Sequence, residues 1–105
     1  MSTPVVVTAY FHPAPGQHER VVEALRPAIA AVHEEPGCEL YAIHDAPDGT
    51  IVMIEKWTSV RDLDDHGGSA AVGALNSSLD GLLASPTEVT RLVPLPAGTE
   101  QQGQL

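Results

Sequence analysis

The chain has 105 residues and a formal net charge of −9, from 14 acidic and 5 basic side chains. This length makes one domain the default, and so few Lys and Arg side chains argue against a nucleic-acid or anionic-membrane partner, because binding to phosphates depends on cationic groups. No apolar run approaches the ~20 residues that span a bilayer, and the N-terminus does not resemble a signal peptide, which together predict a cytoplasmic protein.

The first part of the chain predicts a strand, a helix and a second strand. Val5–Phe11 is rich in β-branched and aromatic residues, as strands are. Gln17 to about Glu34 has helical periodicity, although Pro27 predicts a kink or a break within it. Pro36–Gly37 ends this helix, and Glu39–Asp45 follows as the second strand. The apolar face of the helix is predicted to consist of Val22, Leu25, Ile29 and Val32.

A turn and a short helix surround the third strand. Ala46–Gly49 has the composition of a hairpin turn, and Ile51–Thr58 has the composition of a strand. Ser59 resembles a helix N-cap with Asp62 near the first-turn amides. The helix that it begins is predicted to end at His66, before two glycines.

The last part predicts another helix and a fourth strand. Ser69 can cap a helix that runs to about Ala84, although its two glycines make its ends uncertain. Thr87–Val93 then reads as a strand. The apolar stripe of the helix is Val72, Leu75, Leu79 and Leu82. We expect residues 1–95 to form the domain and the Pro-, Gly- and Gln-rich residues 96–105 to form a flexible tail.

The order β-α-β-β-α-β predicts a ferredoxin-like α+β fold, in which helices cover one face of a four-stranded antiparallel sheet. Alternation in the first strand places Val5, Val7, Ala9 and Phe11 on one face and Val6, Thr8, Tyr10 and His12 on the other. Because both faces are partly apolar, we expect a second copy of the chain to cover the face without helices, in a symmetric homodimer.

The stretch from Ile51 to His66 is the most informative for function. Period two places Met53, Glu55 and Trp57 on one strand face, where burying a carboxylate is costly unless it is paired or protonated. Alternatively, Glu55 pairs with an Arg at the sheet rim or caps a helix end. Asp62 and His66 are one helical turn apart, so the carboxylate can orient the imidazole. The alternative is an exposed acidic helix with a favourable cation near its C-terminus.

Three segments resemble the antibiotic biosynthesis monooxygenase family, including its quinol-monooxygenase branch: "IVMIEKWTS" followed by "LDDH", "PGQHERVVEAL" and "EEPGCELYAIH". The resemblance covers Val5 to about Leu92. It implies a ferredoxin-like protomer that dimerises sheet to sheet as a dimeric α+β barrel. It also implies a pocket for a flat aromatic molecule. Some members of the family oxidise phenols, anthrones or quinols to quinones with O₂, and they use no flavin, haem or metal.

The resemblance also implies roles for individual residues. His66 is the candidate general base, since the ordinary pKa of histidine is about 6.5. Glu55 would bind the substrate hydroxyl or orient His66, and Trp57 would stack on the ring or wall it. The candidate substrate-binding residues are Tyr10, His12, Tyr41, His44 and Met53. Tyr41 and His44 should face opposite sides of their strand unless it contains a bulge.

Other functions compete with the oxygenase. A non-catalytic dimer that binds an aromatic ligand or assists a small-molecule pathway fits the same features. A metal site built from His66, Asp62 and another histidine is a weaker alternative, because the histidines show no known ligand spacing. Haem degradation is disfavoured, since relatives that degrade haem use an Asn that the first strand lacks.

Overall fold

The computed structural model describes residues 3–105, so Met1 and Ser2 at the start of the predicted domain lie outside the described residues. Its elements are β1 (Val5–Phe11), α1 (His18–Val32), β2 (Cys38–Asp45), β3 (Ile51–Trp57), α2 (Val60–Gly67), α3 (Ala70–Leu79) and β4 (Glu88–Leu92). The strands form one antiparallel sheet in the order β2-β3-β1-β4. The predicted ferredoxin-like α+β fold is therefore confirmed.

The helix boundaries differ from the sequence pattern in two places. Helix α1 passes through Pro27 as one helix, without the break that proline can cause. Helix α3 ends at Leu79 rather than near Ala84, because Asp80 leaves the helical conformation and Gly81 takes a φ of +78°. The buried face of α1 is also shifted by about one residue from the predicted one: it comprises Val21, Leu25, Ala28 and Val32.

The two faces of the sheet have different surroundings. We call the face that packs in the core against the helices the inner face; in β1 and β3 it carries Val5, Val7, Ala9, Phe11, Ile51, Met53, Glu55 and Trp57, all buried. The opposite, outer face carries Val6, Thr8, Tyr10, Leu40, Ala42, Val52 and Ile54. Tyr10 is 38% exposed there, and most of the others are half-buried, so this single chain leaves the outer face partly uncovered.

The segment after β4 folds back towards the sheet. A turn closes between the backbone N–H of Ala97 and the carbonyl of Gly103, and Lys56 Nζ donates to the carbonyl of Leu105. The boundary between the domain and a flexible tail stays a prediction. Across residues 3–105, no helix is long and apolar enough to cross a membrane.

Candidate active site

A cavity of about 250 Å³ lies between the inner face of the sheet and helices α2 and α3. Strand β1 provides an apolar floor of Val7, Ala9 and Phe11, and the helices contribute Leu63, Val72 and Leu75. The polar side chains in its wall are Tyr41, Glu55, His66, Asn76, Thr87 and Arg91. Apolar walls with a few convergent polar groups are typical of a small-molecule site.

Glu55 is a buried carboxylate in the wall of this cavity, with 5% of its surface exposed. Its Oε1 accepts a 2.9 Å hydrogen bond from Trp57 Nε1, two residues along the same strand face. Burial raises the pKa of Glu55 above its usual value, and the Trp57 hydrogen bond and the nearby His66 oppose that rise. Glu55 is therefore more ready to hold a proton than an exposed glutamate.

His66 lies between two carboxylates and is 8% exposed. Its Nδ1 is 2.8 Å from Glu35 Oε1, and its Nε2 is 4.0 Å from Glu55 Oε1. An ionised Glu35 can only accept, which favours the tautomer with the proton on Nδ1 and a lone pair on Nε2. The 4.0 Å gap is too long for a hydrogen bond, so Nε2 and Glu55 are both available to a third group.

Glu35, like Arg91 in the cavity wall, is a site residue that the sequence did not predict. It follows α1 and is held close to α2 by the next turn, in which Gly37 has a φ of +80°. A Cβ at Gly37 would lie 2.3 Å from Asp62 Oδ2, so only glycine allows this approach. The Gly37 carbonyl also accepts a 2.9 Å hydrogen bond from the backbone N–H of Thr58. The segment "EEPGCELYAIH", which carries part of the family resemblance, contains Glu35 but does not indicate its contact with His66.

Asp62 does not orient His66, contrary to one prediction from their spacing. Its backbone N–H donates to Ser59 Oγ at 3.1 Å, and its carboxylate accepts from the same hydroxyl at 3.1 Å. The predicted N-cap at Ser59 is thus present, and it turns Asp62 away from the imidazole. Across residues 3–105, no group of three or more His, Cys, Asp or Glu side chains has an arrangement that could hold a metal ion.

Trp57 packs against His66 in the core and does not line the cavity. It is fully buried, and its ring lies 4.5 Å from the His66 ring, centroid to centroid, with an angle of 33° between the planes. Met53 is also fully buried and does not line the cavity. The expectation that these two side chains contact a substrate is corrected, because both are covered on all sides by the core.

Tyr41 is in the cavity wall, and its ring meets the His66 ring edge-on at 5.4 Å. Burial and the charges of Glu55 and Glu35 raise the pKa of Tyr41 well above its usual value, so its phenol stays protonated. Tyr41 pairs with Glu55, whereas His44 pairs with Val52, which places the two on opposite faces as predicted for a strand with no bulge between them.

Three candidate substrate-binding residues lie away from the cavity. His44 is on the outer face, where its Nδ1 is 3.2 Å from the Val52 carbonyl oxygen. Tyr10 is also on the outer face, because it pairs with Val52 in β3. His12 follows β1 at the end of the sheet, with Nε2 2.6 Å from Glu88 Oε1. These placements correct the prediction that they line this cavity, since the strand residues in its wall all lie on the inner face.

The raised pKa of Glu55 has a consequence for stability. At a pH below the pKa of Glu55 in the unfolded chain, the carboxyl group is protonated in both the folded and the unfolded protein. As pH rises towards the higher pKa of the folded protein, the unfolded chain releases its proton first. The free energy of unfolding therefore falls over this range of pH. Glu55→Gln keeps an acceptor for Trp57 and removes this loss. We therefore expect the free energy of unfolding of the variant, relative to that of the wild type, to increase as pH rises from 4 to 8. Urea titrations followed by Trp57 fluorescence measure both free energies at each pH.

The exposed Glu34 provides a control for this comparison. Glu34→Gln removes the same charge from the surface, so its stability relative to wild type should change little over that pH range. If the free energy of unfolding of Glu55→Gln relative to wild type stays constant or decreases as pH rises, ionisation of Glu55 does not weaken the fold.

Comparison with known proteins assigns the chain to a family. The family model for antibiotic biosynthesis monooxygenase matches residues 4–77. The protein named "Putative monooxygenase Rv0793" from Mycobacterium tuberculosis is 33% identical over 96 residues, which cover 90% of this chain and 95% of the relative. Its solved structure has a TM-score of 0.84 at 32% identity and covers 92% of this chain and 100% of that one.

Two further solved structures have the same fold. PA3566 from Pseudomonas aeruginosa has a TM-score of 0.81 at 28% identity, with 90% of this chain and 97% of that chain covered. A structure named "Putative antibiotic biosynthesis monooxygenase" from Nitrosomonas europaea has a TM-score of 0.83 at 21% identity, with 93% and 97% covered. The chain therefore belongs to the antibiotic biosynthesis monooxygenase family, which supports its assignment as a monooxygenase-type oxidoreductase.

Proposed function

We propose that this chain oxidises a phenolic, anthrone or quinol-type aromatic substrate with O₂, without a flavin, haem or metal. The observation that carries the proposal is the position of His66 in the wall of an apolar cavity. Its Nδ1 is bonded to Glu35, and its Nε2 has no hydrogen bond to Glu55 across the 4.0 Å gap between them. A substrate hydroxyl or acidic C–H placed at this gap would meet a base and a second carboxyl group.

The proposed reaction begins with removal of a proton from the substrate by His66 Nε2. Glu35 would stabilise the imidazolium that forms, as an ionised partner at Nδ1 does in other histidine bases. The electron-rich substrate anion then reduces O₂ directly. For an anthrone, the ring CH₂ becomes C=O, one oxygen atom enters the product, and the other leaves as water with the two hydrogens.

Other side chains in the cavity wall would stabilise the substrate anion and move its proton. Because burial keeps the phenol of Tyr41 protonated, Tyr41 can donate a hydrogen bond to a developing oxyanion but cannot act as the base. Glu55, whose pKa is raised by burial, can carry the proton between substrate and oxygen intermediate. The apolar floor of Val7, Ala9 and Phe11 would limit water near the anion and strengthen these interactions.

Oxygen consumption tests the proposal directly. Protein treated with chelator and shown to be free of flavin is mixed with anthrone in air-saturated buffer, and uptake is compared with a protein-free blank. Isotope-labelled O₂ should place one labelled atom in the anthraquinone. If anthrone and 1,4-naphthohydroquinone both quench Trp57 fluorescence on binding and neither is oxidised above the blank, the oxygenase proposal fails and a non-catalytic aromatic-binding protein replaces it.

We also propose that the outer face is covered by a second copy of the chain, in a homodimer. The support is its apolar surface: Val6, Ala42, Val52 and Ile54 are neighbours across three strands, and Tyr10 is 38% exposed beside them. Light scattering should therefore give twice the chain mass of 11.0 kDa. Ile54→Lys should shift the protein towards monomer, whereas Val60→Lys, at an exposed position on α2, should not.

A further inference from the structure

We propose that the substrate of this cavity is an aromatic acid of one or two rings, whose carboxylate binds Arg91 while its hydroxyl lies at Glu55 and His66. The inference rests on the proposed function and specifies the substrate class for the same site. It follows from two polar groups of opposite charge at the two ends of the cavity and from the apolar floor between them.

The sheet register fixes the separation of these two groups. Val7 of β1 pairs with Glu55 of β3 on one side and with Arg91 of β4 on the other, so the three residues form one row across the sheet. All three line the cavity. Two strand spacings place the backbones of Glu55 and Arg91 about 10 Å apart, with a short apolar side chain between them.

The neighbouring row extends the apolar floor. Ala9 pairs with Met53 on one side and with Val89 on the other, and Ala9 and Val89 line the cavity. Small side chains on adjacent rows of β1 leave a flat surface on the inner face between the charged ends. A planar ring system can therefore lie across β1 with one polar substituent over β3 and another over β4.

Arg91 is suited to a carboxylate ligand. Its Nη2 donates to Asp64 Oδ1 of α2 at 2.8 Å, which holds the guanidinium at the edge of the cavity. A guanidinium has five N–H donors, so this bond leaves most of the fork for a second acceptor. Among the described residues that line the cavity, Arg91 provides the one Lys or Arg side chain.

Charge also sets the orientation of the ligand. Glu55 and Glu35 lie at the far end of the row, next to His66, and a ligand carboxylate there would face two acidic groups. At Arg91 the same carboxylate is attracted. The acid group therefore goes to β4, which leaves the hydroxyl end of the ring at the proposed base.

The cavity volume limits the number of rings. At about 250 Å³ it is slightly below the roughly 300–1,000 Å³ usual for drug-sized ligands. One aromatic ring or two fused rings match this space and the span from Glu55 to Arg91.

Binding of a matched pair of probes tests the inference. The acid is 6-hydroxy-2-naphthoate, with its hydroxyl and carboxylate at opposite ends of two rings, and the neutral partner is 6-hydroxy-2-naphthamide. By calorimetry the wild type should bind the acid more tightly. Arg91→Gln should weaken binding of the acid about tenfold or more and leave the amide unchanged, because it removes a charge-assisted hydrogen bond.

Two further variants sharpen the result. Asp64→Asn should tighten binding of the acid, since it removes the carboxylate that competes for Arg91. Arg61→Gln, which removes a positive charge from an exposed position on the same helix as Asp64, should change neither affinity. Equal affinity of wild type for acid and amide, unchanged binding of the acid by Arg91→Gln, or no binding of the acid at millimolar concentration would each overturn the proposal.

Oxygen uptake separates this proposal from the oxygenase function. If binding depends on Arg91 as described but neither probe nor anthrone is oxidised, the ligand class stands and the oxygenase proposal fails. If anthrone is oxidised while acid and amide bind equally, the oxygenase proposal stands and the acid specificity fails.

Discussion

Replacing His66 with Asn is expected to lower kcat for anthrone oxidation by about 100- to 10,000-fold, the usual contribution of a positioned general base. Asn is chosen because its amide nitrogen can reach the position of Nδ1 and still donate to Glu35, which leaves that carboxylate paired. The lone pair at the position of Nε2 is lost. The change therefore removes the proposed base and keeps the polar contact that positions it.

His18 offers a matched control for this substitution. It lies at the start of α1, where its Nε2 is 2.7 Å from Asp45 Oδ1, and it does not line the cavity. His18→Asn should retain wild-type kcat. Thermal unfolding of both variants establishes that each is folded at the assay temperature. A folded His66→Asn variant with more than half of the wild-type kcat would rule out His66 as the base.

Local patterns were enough to predict the strands and the order of the elements. Val5–Phe11 and Ile51–Trp57 were recognised by their β-branched and apolar composition, which is a property of adjacent residues. The end of α3 could not be predicted from the same patterns, because the apolar stripe continues to Leu82 although the helix ends at Leu79. The helix stops although the stripe continues, because Gly81 adopts a φ of +78° that few residues other than glycine readily accept.

The candidate site could be predicted only where one strand holds its parts. Glu55 and Trp57 were found together because a two-residue spacing places them on one face, and the structure joins them by a hydrogen bond. Glu35 and Arg91 come from distant segments, 31 and 25 residues from His66 along the chain. Their approach depends on strand pairing and on the turn at Gly37, which no local pattern specifies.

The same limit explains the candidates that lie elsewhere. Tyr10 and His44 are polar or aromatic residues on predicted strands, which is all that the sequence could say of them. Alternation assigned Tyr10 to the face opposite Val5 and Val7, but only the packing of the helices shows that this is the face without the cavity. The alternation of side chains along a strand divides them between two faces of the sheet. Tertiary packing then decides which of the two faces surrounds a ligand.

The second large effect is expected at Glu35, as a positioning residue that acts through His66. Glu35→Gln keeps the size of the side chain and removes the charge that favours the proton on Nδ1. Because the amide can donate to Nδ1 as well as accept from it, the tautomer with the proton on Nε2 should gain population. We expect kcat for anthrone to fall about 10- to 100-fold with little change in KM, the range typical when a partner that orients a metal-binding histidine is lost.

Nitrogen NMR of the histidine ring reports which ring nitrogen of His66 is protonated. A purely structural effect of the substitution would not change this tautomer. The His66 signals, assigned by their loss in His66→Asn, should show protonated Nδ1 in the wild type and a shift towards protonated Nε2 in Glu35→Gln. The neighbouring Glu34→Gln, which removes an exposed charge one residue away, should leave both the tautomer and kcat unchanged. If Glu35→Gln lowers stability and kcat together while the wild-type tautomer persists, Glu35 supports the fold of the loop and does not position the base.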